Sequence, residues 1–185
     1  MDSPLLELLK SEGSKYGWGL ILIRREELDH LIGKLLNRFT QIKVLDIGCY
    51  GCLLGNYLRS KYGVKVIYYG VDVLEFFDKC KDFSFRVMSG DSLLYPANFF
   101  HLVTFVESLE HIPNYVTALR EAYRVLRPDG AVFIQSVRCD QPNALTDRTH
   151  YHVLHPVTLQ RLMEFIGFRF VRFVDGENFA VWGYK

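Results

Sequence analysis

The 185-residue chain carries 22 lysines and arginines against 21 aspartates and glutamates, a formal net charge of +1 at pH 7. This balance gives no global electrostatic reason for the chain to bind nucleic acid or an anionic membrane. Hydrophobic residues make up 49% of the chain and aromatic residues 15%, which argues against disorder and favours one domain with a substantial core. The longest apolar runs, such as Leu20–Ile23 and Leu102–Val106, are too short to span a bilayer.

Residues 1–41 are predicted to form a helical segment that precedes the main core of a single domain, residues 42–185. Pro4–Ser11 and Arg24–Phe39 carry amphipathic helical patterns. Between them the stretch KYGWGLILI is interrupted by glycine, and it is either a loop over a pocket or a packed segment. The first residues lack a basic stretch followed by an apolar one, so we expect no signal peptide and a cytoplasmic location.

From residue 42 onward, strand and helix patterns alternate, as in α/β proteins. The predicted strands are Val44–Ile47, Val64–Val71, Phe83–Met88, Phe99–Val106, Ala131–Val137, Phe168–Val174 and Phe179–Tyr184. The predicted helices are Leu53–Lys61, Leu74–Lys79, Asn114–Leu126 and Pro156–Ile166, with Pro128-Asp129-Gly130 ending the third of them. Right-handed crossovers then give a doubly wound, mostly parallel seven-stranded sheet, and the turn DGEN adds an antiparallel hairpin strand at its C-terminal end.

The stretch Val44–Asn56, VLDIGCYGCLLGN, combines a buried strand, a glycine turn and the start of a helix. Gly48 and Gly51 permit a tight turn, and the helix N-terminus offers free N–H groups. Proteins of the α/β class build nucleotide pockets in this way. Cys49 and Cys52 also form a C-x-x-C motif, which keeps a thiol-disulfide oxidoreductase open as an alternative.

Acidic side chains lie at or just after the carboxyl ends of four of the predicted parallel strands, where ligands of open α/β sheets bind. They are Asp46, Asp72, Asp91 and Glu107. Such a set would repel a phosphate-rich ligand, and it suits hydroxyl donors, amine donors or a cation. An acid after the second strand is well placed to accept hydrogen bonds from both hydroxyls of a ribose.

Several stretches in this order resemble the class I S-adenosylmethionine-dependent methyltransferases, from about Ile42 to Phe170. They are VLDIGC, YYGVDV, SGDSLLYP, FFHLVTFVESLEHI, LREAYRVLRPDGAVFIQSV and DRTHYHVLHPVTLQRLMEFIGF. The resemblance implies a Rossmann-like fold and S-adenosylmethionine as cofactor. It places the cofactor against Asp46, Gly48, Cys49, Gly51, Asp72, Val73, Asp91, Ser92, Val106 and Glu107, with Asp72 at the ribose and Asp91-Ser92 at the adenine.

The sequence departs from the family pattern in two respects. The second and third glycines of the first motif fall on Tyr50 and Cys52, so the turn is either shifted by one residue or binds the cofactor weakly. His101 stands where the fourth strand often carries an acid, a position that we expect to be structural. All four cysteines (Cys49, Cys52, Cys80 and Cys139) are predicted to be reduced thiols.

Candidate catalytic residues are His111, just past the fourth strand, and His150 and Tyr151 in the loop after the fifth strand. Asp147 either orients His150 or only caps a turn, and His111 is either an acid–base group or a packing residue. The spacing of His150, His152 and His155 matches neither a helical metal pair nor a zinc finger, so we expect no metal site there.

The predicted function is methyl transfer from S-adenosylmethionine to a small-molecule acceptor. The acceptor site is expected to be open or completed by a second subunit in a homodimer. A catalytically silent relative that binds the cofactor or a partner is the main alternative. Nucleic-acid methylation is disfavoured, because Phe105-Val-Glu-Ser108 replaces the Asn/Asp-Pro-Pro-aromatic stretch that holds a flipped base, and no basic stripe is present.

Overall fold

The computed structural model describes residues 22–185 and shows one seven-stranded sheet with the strand order β3-β2-β1-β4-β5-β7-β6. The strands are β1 (Ile42–Ile47), β2 (Val66–Asp72), β3 (Ser84–Val87), β4 (Phe100–Val106), β5 (Leu126–Val137), β6 (Arg169–Val174) and β7 (Asn178–Tyr184). Strands β1 to β5 pair in parallel, and β7 runs antiparallel between β5 and β6. The predicted sheet and its C-terminal hairpin are therefore confirmed.

Five α-helices accompany the sheet within the described residues. They are α1 (Arg25–Leu36), α2 (Leu53–Tyr62), α3 (Tyr115–Val125), α4 (Pro142–Thr146) and α5 (Pro156–Ile166). Short 3₁₀ turns lie at Tyr50–Cys52, Gly63–Lys65 and Leu109–His111. None of the helices in residues 22–185 is long and apolar enough to cross a membrane.

The central parallel strands β1 and β4 are buried on both faces because helices cover each side of the sheet, whereas the edge strand β3 is mostly exposed. Successive strand residues point to opposite faces, so Val44 packs with the buried leucines of α1 and α2, whereas Leu45 packs with those of α3 and α5. Leu28 and Leu119 mark the two sides, and both are fully buried. This burial on both faces explains why the sequences of these strands are continuous apolar runs rather than alternating apolar and polar residues.

Three local predictions are wrong. Leu74–Lys79 is a bend followed by a turn at residues 77–79 rather than a helix. Pro128-Asp129-Gly130 lies inside β5, which begins at Leu126, and the Asp129 N–H donates to the carbonyl of Lys185. The loop after β5 contains the short helix α4. The predicted helix Pro4–Ser11 lies outside the described residues.

The order of the strands determines where a ligand can enter. The chain runs outward from β1 to β3, then returns to the other side of β1 to form β4. Loops that leave β1 and β4 consequently diverge, and a crevice opens between them at the carboxyl ends of the strands. Gly48 at the end of β1 and Ser108 after β4 meet at its base.

Candidate active site

A cavity of about 340 Å³ lies at this crevice, formed by the ends of β1, β2, β4 and β5 and the loops that follow them. Nine of the predicted site residues line it: Asp46, Gly48, Cys49, Asp72, Val73, Val106, Glu107, His111 and His150. Gly51, Asp91, Ser92 and Tyr151 are not among the described residues that line it. The fold thus brings most of the predicted cofactor and catalytic positions into one space.

The glycine turn is held by β2 and leaves no room for a side chain. The N–H groups of Gly48 and Cys49 both donate to the carbonyl of Val71, at 2.9 and 3.1 Å. Gly48 has φ +75°, and a Cβ added there would lie 2.4 Å from Cβ of Ser108. Only glycine meets both the backbone conformation and the close approach of the loop after β4.

Non-glycine residues continue this turn in a conformation that glycine prefers. Tyr50 has φ 32° and Cys52 has φ 60°, on either side of Gly51 at φ 72°. The two positions where the family pattern has glycine therefore have positive φ in this chain, although neither is a glycine. The ring of Tyr50 packs edge-on against Phe76, at 5.0 Å between centroids, which helps to hold this conformation.

Asp72 ends β2 with its carboxylate anchored by the backbone on both oxygens. Oδ2 accepts from the N–H of Tyr50 and Oδ1 from the N–H of Leu74, each at 3.0 Å. The residue is 9% exposed, and burial raises its pKa above the ordinary value. Each oxygen keeps a further lone pair that can accept from a hydroxyl.

Asp46 lines the same cavity but bonds to the sheet rather than to the glycine turn. Its oxygens accept from the Tyr68 hydroxyl at 2.6 Å and from the Thr104 hydroxyl at 2.8 Å. Burial raises the pKa of this carboxyl to about 6. A charged Asp46 would place negative charge beneath the turn, where it favours a cationic ligand.

The loop after β3 contributes residues other than the acid that the resemblance selected. Asp91 accepts hydrogen bonds from the Ser89 hydroxyl at 2.5 Å and from the Asn114 side chain at 3.0 Å. Met88, Ser89 and Gly90 line the cavity in its place. The adenine contacts of Asp91 and Ser92 remain predictions.

Two carboxyl groups, those of Glu107 and Glu110, face the other end of the cavity and contact each other. Glu107 Oε1 accepts from the amides of Gln135 and Asn178, at 2.7 and 2.8 Å. Burial raises the pKa of each glutamate to about 7, and the neighbouring carboxyl adds to the effect at Glu107. Sequence reasoning noted Glu110 only as part of a family motif, because its 1% exposure depends on the fold.

His111 and His150 come together beside these glutamates, with 4.8 Å between ring centroids. The Nδ1 atoms lie 3.0 Å from the carbonyls of Thr149 and Ala144, respectively. Burial lowers the pKa of both imidazoles. Because the carbonyls only accept hydrogen bonds, each neutral ring carries its proton on Nδ1 and its lone pair on Nε2.

The loop that carries His150 is hydrogen-bonded to the 3₁₀ turn that carries His111. The N–H of Tyr151 donates to the carbonyl of Glu110 at 2.9 Å. Asp147 accepts from both the N–H and the hydroxyl of the buried Thr149, so it forms a turn, and its carboxylate also lies 3.8 Å from His150. The turn-forming role of Asp147 is thus present, and its role in orienting His150 stays a prediction.

The remaining polar residues of this loop point elsewhere. Tyr151 is 45% exposed. His152 contacts the carbonyl of Pro113, and His155 accepts from the N–H of Val157 at the start of α5. His150, His152 and His155 therefore do not converge on a common point.

The cysteines differ from the prediction. Cys52 and Cys80 form a disulfide across 28 residues, so the expectation of four reduced thiols is wrong for this pair. Sequence spacing drew attention to Cys49 and Cys52, but the fold places Cys80 against Cys52. Cys49 is a buried free thiol whose pKa is raised by burial, which does not suit a redox nucleophile.

A family model described as a methyltransferase domain matches residues 21–172. The chain belongs to this family. Ubiquinone biosynthesis O-methyltransferase of Pseudomonas entomophila (strain L48) is 30% identical to it over 106 residues. That match covers 51% of this chain and 44% of the relative, so less than half of the relative's length is compared.

Solved structures show the same fold for this methyltransferase domain. A SAM-dependent methyltransferase of Thermotoga maritima, described as a possible histamine N-methyltransferase, superposes with a TM-score of 0.74 at 15% identity. It covers 98% of this chain and 99% of that one. A SAM-dependent methyltransferase of Archaeoglobus fulgidus gives 0.68 at 20% identity, over 84% and 94% of the two chains. Family and fold together imply S-adenosylmethionine as the cofactor.

Proposed function

We propose that this methyltransferase domain transfers a methyl group from S-adenosylmethionine to a small-molecule acceptor. The observation that carries the proposal is the single cavity in which Asp72 and the glycine turn share a space with the Glu110, His111 and His150 side chains. The first group suits a nucleoside and the second suits a polar acceptor. One cavity can therefore hold both reactants side by side, as direct transfer requires.

The residues at the first end fit the cofactor chemically. The Asp72 carboxylate is held rigidly by two backbone N–H groups and can still accept from two ribose hydroxyls. Gly48 leaves backbone exposed where any side chain would clash with Ser108. Asp46 lies beneath the turn and supplies a carboxylate near a cationic ligand.

S-adenosylmethionine, when bound, supplies an activated methyl group, and its sulfur leaves as a neutral thioether. The chain must therefore orient the acceptor, exclude water and, for a hydroxyl acceptor, remove a proton. His150 is held by the Ala144 carbonyl with Nε2 as its basic nitrogen, and it lines the acceptor end. We assign proton removal to residues at this end of the cavity. Tyr151 does not line the cavity, so it is not one of them.

Two measurements test this function. Isothermal titration should show binding of S-adenosylhomocysteine, and a radiolabelled-methyl assay against a panel of phenols, catechols and amines should reveal an acceptor. Binding without transfer to any acceptor would favour the silent relative, for which Tyr50 and Cys52 in the glycine turn are the motivation. No binding at about millimolar cofactor would reject the proposal.

A further inference from the structure

The acceptor end of the cavity holds a cluster of potential metal ligands: Glu110, His111 and His150. One carboxylate oxygen and one nitrogen from each ring lie within 4.8 Å of one another. The three side chains come from the 3₁₀ turn after β4 and from the loop before α5, which are joined by the hydrogen bond from Tyr151 N–H to the Glu110 carbonyl. The cluster is therefore built by the fold and not by a local sequence motif.

Glu110 is the strongest sign that a ligand belongs there. The residue is 1% exposed, and among residues 22–185 its Oε2 atom has no hydrogen-bond partner. A buried carboxylate oxygen without a partner is costly. The Glu110 carboxyl otherwise contacts the side chain of Ser136 and the carboxyl of Glu107, and two adjacent buried carboxyls are costly to ionise together unless a cation lies beside them. Glu107 is itself held by the amides of Gln135 and Asn178, so it cannot turn away without losing both bonds. A cation would offset this concentration of negative charge.

The two histidines are oriented as metal-binding histidines usually are. Nδ1 of His111 lies 3.0 Å from the Thr149 carbonyl, and Nδ1 of His150 lies 3.0 Å from the Ala144 carbonyl. Such bonds to backbone carbonyls set the tautomer with the lone pair on Nε2 and hold the ring in place. Asp147, with its carboxylate 3.8 Å from Nε2 of His150, adds negative charge beside the cluster.

We propose that Glu110, His111 and His150 bind a divalent transition-metal cation that holds a hydroxyl oxygen of the methyl acceptor. Two imidazole nitrogens and one carboxylate oxygen suit Zn²⁺ or Mn²⁺ better than Mg²⁺ or Ca²⁺, which prefer oxygen ligands alone. Three protein ligands leave coordination positions open toward the cavity. The metal would lower the pKa of the bound hydroxyl, so that solvent and not His150 accepts its proton. The inference rests on the proposed function for the identity of the oxygen ligand.

Metal binding can be measured without any methyl acceptor. Chelator-treated protein is titrated with Zn²⁺ and with Mn²⁺ by calorimetry, and metal content is measured by mass spectrometry after dialysis. We expect one ion per chain, with at least about a 10-fold loss of affinity in Glu110→Gln and in His150→Asn. His152→Gln is the matched control, because His152 lies on the same loop and contacts Pro113 instead. Its affinity should stay within about two-fold of the wild type.

Spectroscopy distinguishes a variant that has lost the metal site from one that has failed to fold. Co²⁺ bound at the cluster should give visible d–d bands that weaken in His150→Asn, while circular dichroism confirms that each variant is folded. If Glu110→Gln unfolds, the His150→Asn bands and titration decide. The proposal is overturned if the wild type binds no Zn²⁺ or Mn²⁺ at about 1 mM, or if folded variants bind as tightly as the wild type.

The metal proposal and the methyltransferase proposal fail in different ways. Metal-free protein that binds S-adenosylhomocysteine and methylates an acceptor at its full rate would overturn the proposed role of the metal and leave the function intact. Protein that binds one metal at the cluster and no S-adenosylhomocysteine would support the site and reject the function.

Discussion

Gly48 and Ser108 approach so closely that a Cβ added to Gly48 would lie 2.4 Å from Cβ of Ser108 and 3.0 Å from its Oγ. Ser108 is itself fixed, because its hydroxyl donates to the carbonyl of Ile47 at 2.6 Å. The contact joins the ends of β1 and β4 at the point where the strand order reverses. It therefore forms the base of the candidate cofactor site as well as a packing contact between two loops.

Replacing Gly48 with alanine should damage both stability and cofactor binding. The left-handed backbone and the overpacked methyl should together cost roughly 2–4 kcal/mol of unfolding free energy. Urea unfolding and titration with S-adenosylhomocysteine measure the two effects. Gly33→Ala is the matched control, since a Cβ at Gly33 meets nothing within 4 Å and should stabilise α1 by up to about 1 kcal/mol. Equal effects of the two substitutions would contradict this account.

Asp72→Ala should weaken the binding of S-adenosylhomocysteine by roughly 1–3 kcal/mol, because ribose hydroxyls and the N–H groups of Tyr50 and Leu74 would lose their acceptor. Isothermal titration gives the affinity directly. Asp78→Ala, at an exposed aspartate of the same loop, should change it little. Unchanged affinity in a folded Asp72→Ala protein would reject the placement of the ribose.

His101 should make stability depend on pH in a defined window. Burial and the nearby Arg127 and Lys43 lower the pKa of His101 to about 4, while the unfolded chain titrates near 6.5. Between pH 4 and 6.5 the unfolded state binds more protons at His101 than the folded state does. The contribution of neutral His101 to the free energy of unfolding is therefore fully present above pH 6.5 and is lost as the pH falls toward 4. The loss attributable to His101 should reach at most about 3 kcal/mol.

The His101→Asn variant provides the comparison for that window. It should be less stable than the wild type at pH 7, since Nδ1 of the neutral ring accepts a hydrogen bond from the N–H of Lys43 in the wild type. The difference in unfolding free energy between the wild type and the variant, measured with urea, should become smaller as the pH falls from 6.5 to 4. A difference that stays constant across this range would show that His101 is protonated equally in both states.

The Cys52–Cys80 disulfide should stabilise the protein, because it closes a loop of 28 residues in the unfolded chain. The chain-entropy account predicts about 3–4 kcal/mol for a loop of this length. Cys80→Ser should therefore melt at a lower temperature than the wild type when no reductant is present. With reductant the two proteins should melt at similar temperatures. Peptide mapping without reduction that finds both thiols free would refute the assignment.

Much of the cofactor site could be predicted from the sequence because it depends on local patterns. A parallel strand buried on both faces has a continuous apolar run. The residues at its carboxyl end lie at the ligand-binding edge of the sheet, whichever strands are its neighbours. Asp46, Gly48 and Asp72 were found in this way, and each of them lines the cavity. Asp91 follows the same rule, yet its carboxylate turns aside to Ser89 and Asn114. Side-chain direction in a loop depends on the partners that the fold supplies.

The sequence by itself determined the alternation of strands and helices, the C-terminal hairpin and the acids at the strand ends, since these follow from periodicity and chain order. Only the tertiary structure decided which distant residues meet. It joined Cys52 to Cys80 rather than to Cys49, buried Glu110, and brought His150 to within 4.8 Å of His111. Those pairings depend on long-range packing of loops against the sheet, and residue spacing along the chain carries no direct information about that packing.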